Sequence, residues 1–171
     1  MLWGHPYMAP LILLGVLSLW GLRDVPADPA KSAFVASFTL FALGGALGYM
    51  IHGVNVVIPA HYHGSTVGVT LAFMGLAYVL LPHLGFQPAA GRMALWQPYV
   101  YGFGQLVHVL GLAWSGGYGV QRKVAGAEQL LTTLPQKIGM GMMGLGGLIA
   151  IIGGLMFVVV CLKAMSRRTP G

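Results

Sequence analysis

The chain has 171 residues, of which 57% are hydrophobic and only 7% are charged, and its mean hydropathy is +0.79. Soluble domains carry about 25% charged residues, so this composition excludes a globule that covers itself with polar side chains in water. Nine Lys and Arg against three Asp and Glu give a net charge of +6. These cations are scattered over short loops and form no basic face, which indicates topology-setting loops and no nucleic-acid partner.

Five apolar stretches approach or exceed the length of about 20 residues that a membrane-spanning helix needs. In chain order they cover residues 7–22, 33–51, 59–82, 94–116 and 138–162. The first is the weakest because it is short and contains Pro10. No internal repeat and no soluble domain is evident. The sequence therefore predicts an all-α fold, a single transmembrane domain over residues 1–171 built as an integral membrane bundle of five transmembrane helices.

The charges between these stretches predict how the chain lies in the membrane. Five spans place the two termini on opposite sides. One side then collects Arg23, Lys31, Arg92, Lys163, Arg167 and Arg168, and the other collects Arg122, Lys123 and Lys137. Because cytoplasmic loops carry the excess of positive charge, we expect the C-terminus on the cytoplasmic side. No Lys or Arg precedes Arg23, so we expect no cleaved signal peptide.

The fifth stretch is studded with small residues. Its glycines are Gly139, Gly141, Gly144, Gly146, Gly147, Gly153 and Gly154. Small residues let helices approach closely in lipid, where side-chain packing drives their association. We therefore expect this helix to be packed against others and the five helices to be part of a larger bundle.

Two histidines at the start of the third stretch, His61 and His63, carry the clearest chemical signal. At about 100° per residue, side chains two apart project about 200° apart around a helix. Such a pair cannot readily hold one metal ion, whereas an i, i+4 pair could. Imidazole is a common axial ligand of haem iron, so one helix with this pattern can hold two haems on opposite faces. The alternative is that both side chains lie at the membrane interface and bind water or lipid headgroups.

The surrounding residues resemble the catalytic subunit of haem-copper oxidases. Pro59-Ala60-His61-Tyr62-His63 is similar to the start of helix X in that family, which reads roughly Val/Pro-Ala/Gly-His-Phe-His. Gly44-Gly45 upstream looks like part of helix IX, and Gly119-Val120-Gln121-Arg122-Lys123 downstream looks like the Gly-x-Pro-Arg-Arg segment after helix XI. The resemblance covers residues 10–165 as helices VIII to XII, the C-terminal part of a twelve-helix-type core. It is closest to the B-type oxygen reductases and suggests a split chain of a prokaryotic cytoplasmic membrane.

The resemblance assigns roles to the two histidines. It implies that His61 is the axial ligand of the high-spin haem iron and that His63 is a ligand of the low-spin haem iron. It therefore implies two haems, whose a or b type it leaves open, and no catalytic residue in this chain beyond these haem ligands.

Three further residues, Arg122, Lys123 and His52, match positions at which the resembling family contacts haem propionates. Arg122 and Lys123 take the places of its two arginines, although Lys123 loses the planar fork of a guanidinium and Gln121 replaces the usual proline. The alternative is that these are loop cations with no specific partner. His52 matches a histidine near the high-spin haem propionates, but it precedes His61 by nine residues, one more than is usual.

The remaining histidines have plainer expected roles. We expect His108 to be a hydrogen-bonded residue of the bundle, and His83 and His5 to lie at the membrane interfaces. No acidic residue falls within the predicted spans, so proton uptake would use the partner or water and hydroxyl groups, namely Ser18, Ser37, Thr39, Ser65, Thr66 and Thr70.

In the resembling family, copper is held by helices VI and VII and the second ligand of the low-spin haem comes from helix II. None of these helices is present. The resemblance therefore implies an N-terminal partner chain that carries the copper ligands, together with subunit II, an outward-facing donor such as cytochrome c or a copper protein, and membrane lipid. The expected function is electron transfer and reduction of O₂ to water in the core of a cytochrome c oxidase-type respiratory enzyme. The alternatives are a nitric oxide reductase core fragment and a haem-free structural subunit.

Overall fold

The computed structural model describes residues 5–124 and 130–166, with side chains from residue 13 onward. Arg167 and Arg168 of the predicted cytoplasmic tail lie outside these residues, as does the side chain of His5. The described chain forms five α-helices. They are α1 His5–Gly21, α2 Pro29–Gly48, α3 Val57–His83, α4 Arg92–Gly117 and α5 Leu134–Met165. The predicted all-α bundle of five helices is thus confirmed.

Two helices begin four residues earlier than their hydrophobic patterns predict, because polar caps lie outside the apolar stretches. The Asp28 carboxylate accepts hydrogen bonds from the backbone N–H groups of Ala30 and Lys31, at 2.7 and 3.0 Å, and starts α2. Thr133 and Gln136 form a reciprocal capping box that starts α5. Such caps satisfy the N–H groups that a first turn leaves unpaired.

Length and composition support membrane spanning for three of the helices. α2, α3 and α5 have 20, 27 and 32 residues and are apolar enough to cross a membrane. α1 has 17 residues, and α4 has 26 but carries polar side chains such as Gln97, Gln105 and His108. The span prediction is therefore supported for α2, α3 and α5, and it stays a prediction for α1 and α4.

Glycines at seven-residue intervals hold α4 against α5. Gly139, Gly146 and Gly153 of α5 face Gly104, Gly111 and the backbone of Tyr101 in α4. A Cβ atom at Gly111 would lie 2.5 Å from the carbonyl oxygen of Gly139, and one at Gly153 would lie 2.5 Å from the Tyr101 Cα. The two backbones are thus in direct contact. The expectation that another helix packs closely against α5 is confirmed for this face.

A buried polar side chain ties three helices together. Gln97 of α4 has no exposed surface. Its Oε1 accepts a hydrogen bond from the Tyr78 hydroxyl of α3 at 2.8 Å, and its Nε2 donates to the Gly153 carbonyl oxygen of α5 at 3.1 Å. Because an unpaired polar group in hydrocarbon is costly, these two bonds fix how α3, α4 and α5 are arranged.

The α4–α5 contact predicts that alanine substitutions at two glycines of α5 have unequal effects on thermal stability. In Gly146→Ala, the new methyl group would lie 2.6 Å from the Gly104 carbonyl oxygen, so the helices must separate, at a cost of about 1–3 kcal/mol. In Gly144→Ala the methyl group meets open space, and alanine favours a helix by about 0.5–1 kcal/mol. Thermal unfolding in detergent, followed by circular dichroism, should show a lower midpoint only for Gly146→Ala. Equal midpoints for the two variants would contradict this packing.

Candidate haem-binding site

His61 lies beside the point where α2 and α3 approach each other closely. A Cβ atom at Gly64 of α3 would lie 2.6 Å from the Cα of Gly44 in α2, so only glycine fits at this crossing. One turn before Gly64, the half-buried His61 places its Nδ1 2.7 Å from the Gly44 carbonyl oxygen. Gly48 leaves room for the ring, since a Cβ atom there would lie 3.0 Å from Nδ1.

That hydrogen bond determines which nitrogen of His61 is available. A carbonyl oxygen only accepts, so Nδ1 must carry the proton and donate. In the neutral ring Nε2 then holds the lone pair and can bind a metal. Metal-binding histidines usually have their other ring nitrogen bound in this way, which fixes the tautomer and the ring orientation.

His63 has the same local chemistry on another face of α3. Its Nδ1 lies 3.1 Å from the Pro59 carbonyl oxygen, one turn earlier in the same helix, and its side chain is exposed. Its ring stacks on that of His108 from α4, with a centroid distance of 4.9 Å and an interplanar angle of 26°. By the same reasoning, Nε2 of His63 is free to bind.

The two histidines lie against different helices, as their spacing predicts. His61 contacts α2, and His63 contacts α4. Within residues 5–124 and 130–166 there is no cluster of three or more His, Cys, Asp or Glu side chains able to hold an ion. Neither imidazole therefore belongs to a protein-only metal cluster among these residues.

The loop after α4 returns to the start of α3. The Val56 N–H donates to the Val120 carbonyl oxygen at 3.0 Å, and an antiparallel bridge joins Asn55 to Gln121. This pairing brings Arg122 to the end of α3 that carries the histidines. The resemblance implies that Arg122 lies beside a haem propionate, but the pairing itself was not predicted, since a two-residue contact between loops leaves no periodic signal.

The two loop cations differ in their surroundings. Arg122 is half-buried and its Nε is fully buried, and no described residue accepts a hydrogen bond from that atom. Lys123 is exposed and has a positive φ of 63°. A buried guanidinium N–H needs an acceptor, so Arg122 is suited to an anionic ligand, and Lys123 is the less constrained cation.

Three other histidines each have Nδ1 within hydrogen-bond distance of a backbone carbonyl oxygen. His52 is exposed in the turn before α3, with Nδ1 3.1 Å from the Met50 carbonyl oxygen, and its contact with a propionate stays a prediction. His83 is exposed at the opposite end of α3 and binds the Val79 carbonyl oxygen through Nδ1. His108 Nδ1 lies 2.9 Å from the Met143 carbonyl oxygen, which confirms it as a hydrogen-bonded bundle residue, although its stacking on His63 was not predicted.

Several candidate proton-carrying hydroxyls bond to their own helices. Ser18, Thr39 and Thr70 donate to carbonyl oxygens four residues earlier. Of the acidic residues that the structure describes, Asp24 pairs with Arg23 and Asp28 caps α2, both outside the helices. A proton route through this chain therefore stays a prediction.

Comparison with known proteins supports a relationship to oxidases. No protein-family model matches the chain. An uncharacterized protein of Rickettsia prowazekii is 44% identical over 79% of this chain, and the chain spans 28% of that relative. A cytochrome c oxidase subunit 1 of Thermus thermophilus is 31% identical over 91% of the chain, which spans 30% of that relative.

A second Thermus thermophilus sequence of the same name, cytochrome c oxidase subunit 1, is matched over its whole length. It is 33% identical over 109 residues, which cover 56% of this chain. The chain therefore spans less than a third of its longer relatives and all of this shorter one. Together with a membrane bundle that presents two separate imidazoles, these matches show that the chain belongs to the cytochrome c oxidase subunit 1 family.

Proposed function

We propose that the chain is the haem-binding C-terminal part of the catalytic core of a terminal respiratory oxidase that reduces O₂ to water. The single observation that carries the proposal is the state of the two imidazoles. His61 and His63 each have Nδ1 bound to a backbone carbonyl oxygen, so each has a free Nε2, and they lie against different helices.

Two further observations support haem as the group bound there. Haem carries propionate carboxylates, and the buried Nε of Arg122 has no acceptor among the described residues at the same end of α3. Large apolar side chains are exposed on α3, among them Tyr62 at 58% and Phe73 at 65%. An apolar macrocycle with an anionic edge fits both features.

The roles follow the order of the motif. His61 would hold the high-spin haem and His63 the low-spin haem, with α3 between them. Bound in these places, the haems would supply electron transfer and the iron at which O₂ is reduced. The chain's own residues orient the ligands: Gly44 fixes the ring of His61, Pro59 fixes that of His63, and Arg122 neutralises a carboxylate.

Partner chains are part of the proposal. The described residues offer one imidazole to each haem and hold no metal cluster of their own. By the resemblance to the family, we propose that a copper site and the second ligand of the low-spin haem come from an N-terminal catalytic chain, with subunit II and an outward-facing donor completing the enzyme. The exposed apolar residues of α1, such as Leu14 at 60% and Trp20 at 68%, are suited to contact with such helices or with lipid.

Substitution of each histidine should remove one haem signal. His61→Ala should abolish the carbon monoxide-reactive haem in a reduced-minus-oxidised spectrum of the purified native complex, because the high-spin iron loses its axial ligand. His63→Ala should abolish the six-coordinate signal instead. His83→Ala is the matched control, since His83 has the same bond to a carbonyl oxygen at the far end of α3. Two intact haem signals in both His61→Ala and His63→Ala would leave the chain as a haem-free structural subunit.

The substrate is tested on the same complex. Turnover with O₂ in an oxygen electrode and copper in the metal analysis are expected. Turnover of nitric oxide with non-haem iron in place of copper would assign the chain to a nitric oxide reductase, which also needs both histidine ligands.

Substitution of Arg122 should weaken haem binding, whereas substitution of Lys123 should not. Arg122→Gln would remove the proposed charge-assisted hydrogen bond from the buried Nε to a propionate, which is worth about 1.5–3 kcal/mol. Haem should therefore transfer to apomyoglobin at least about ten-fold faster. Lys123→Gln is the control and should behave like the unaltered protein, because Lys123 is exposed. Equal haem loss from the two variants would show that Arg122 does not bind a propionate.

A further inference from the structure

His108 of α4 forms a connection between α5 and the ring of His63. Its Nδ1 lies 2.9 Å from the Met143 carbonyl oxygen of α5, and its ring stacks on His63 at 4.9 Å. Among the residues that the structure describes, the His63 imidazole has one hydrogen bond, to the Pro59 carbonyl oxygen of its own helix. The His108 ring is thus a contact that joins the His63 imidazole to α4 and, through Met143, to α5.

The bundle makes room for His108 at this position. A Cβ atom at Gly146 would lie 2.8 Å from the His108 Cα, so the α5 backbone lies directly against the α4 backbone there. A Cβ atom at Gly147 would lie 3.5 Å from the His108 Nδ1, in contact with the ring. Two adjacent glycines thus let the imidazole lie between α5 and α3 with its Nδ1 directed to Met143.

We propose that His108 is a positioning residue for the low-spin haem ligand, holding the plane of the His63 imidazole through the Met143–His108–His63 connection. This inference rests on the proposed function, since it requires that His63 binds a haem. The Met143 carbonyl oxygen fixes the His108 ring because Nδ1 must donate to it. The fixed ring in turn restricts rotation of the His63 side chain, which is exposed and whose hydrogen bond among the described residues is to its own helix.

The orientation of an axial imidazole affects the haem electronically. Residues behind a metal ligand orient it and tune the metal, and hydrogen bonding and packing around axial ligands are among the means by which proteins adjust haem potentials. In a low-spin ferric haem, the angle at which the plane of an axial imidazole lies across the macrocycle changes the splitting of the iron d orbitals. The g-values in electron paramagnetic resonance report that angle directly.

The test compares His108→Ala with His108→Phe in the purified native complex, with His83→Ala as a control on an exposed histidine. His108→Phe keeps an aromatic ring against His63 and loses the bond to Met143, and His108→Ala loses both. We expect shifted low-spin g-values and a shifted low-spin midpoint potential in His108→Ala. We expect a smaller shift in His108→Phe and none in His83→Ala. The carbon monoxide spectrum of the high-spin haem should be unchanged in all three.

Each other outcome overturns the inference. Unchanged g-values and potential in His108→Ala, with both haems present, would show that the stacking does not position the ligand. Loss of both haems in His108→Ala and in His108→Phe would show that His108 only stabilises the bundle. Failure of the proposed function is distinguishable, because it appears as a retained low-spin signal in His63→Ala, a variant that leaves His108 intact.

Discussion

The close approach of α2 and α3 at Gly44 and Gly64 is the constraint on which the rest of the site depends. The two backbones touch there, since a Cβ atom added at Gly64 would lie 2.6 Å from the Gly44 Cα. That approach puts the Gly44 carbonyl oxygen within 2.7 Å of the His61 Nδ1. A larger residue at either glycine would move the acceptor away from the ring, so the packing of α2 on α3 determines the orientation of the His61 ring.

The other face of α3 depends on a second glycine contact. Gly104, Gly111, Gly146 and Gly153 bring α4 and α5 together, which places the Met143 carbonyl oxygen against His108 and His108 against His63. Gln97 joins the same three helices further along α3. In a membrane, where the hydrophobic effect does not hold helices together, small residues and buried hydrogen bonds supply the packing. The chain uses both devices around the helix that carries the two histidines.

Much of the fold follows from hydropathy and glycine content. The five helices, their order and the placement of His61 and His63 on different faces follow from apolar length and the 3.6-residue period. Helix starts were less predictable, because Asp28 and the Thr133–Gln136 box begin α2 and α5 outside the apolar stretches. Three contacts were not predictable from pattern alone, because they join residues distant in sequence. They are the bond from His61 to Gly44, the stack of His63 on His108 and the bridge from Asn55 to Gln121.

The proposed role of the chain requires iron bound at two places on one helix. The most direct measurement is an electron cryo-microscopy structure of the native complex, at a resolution that shows the haem planes. We expect one iron bonded to Nε2 of His61, a second bonded to Nε2 of His63, and a propionate against the Nε of Arg122. Haem irons ligated only by partner chains, with no iron beside either histidine, would contradict the proposed function.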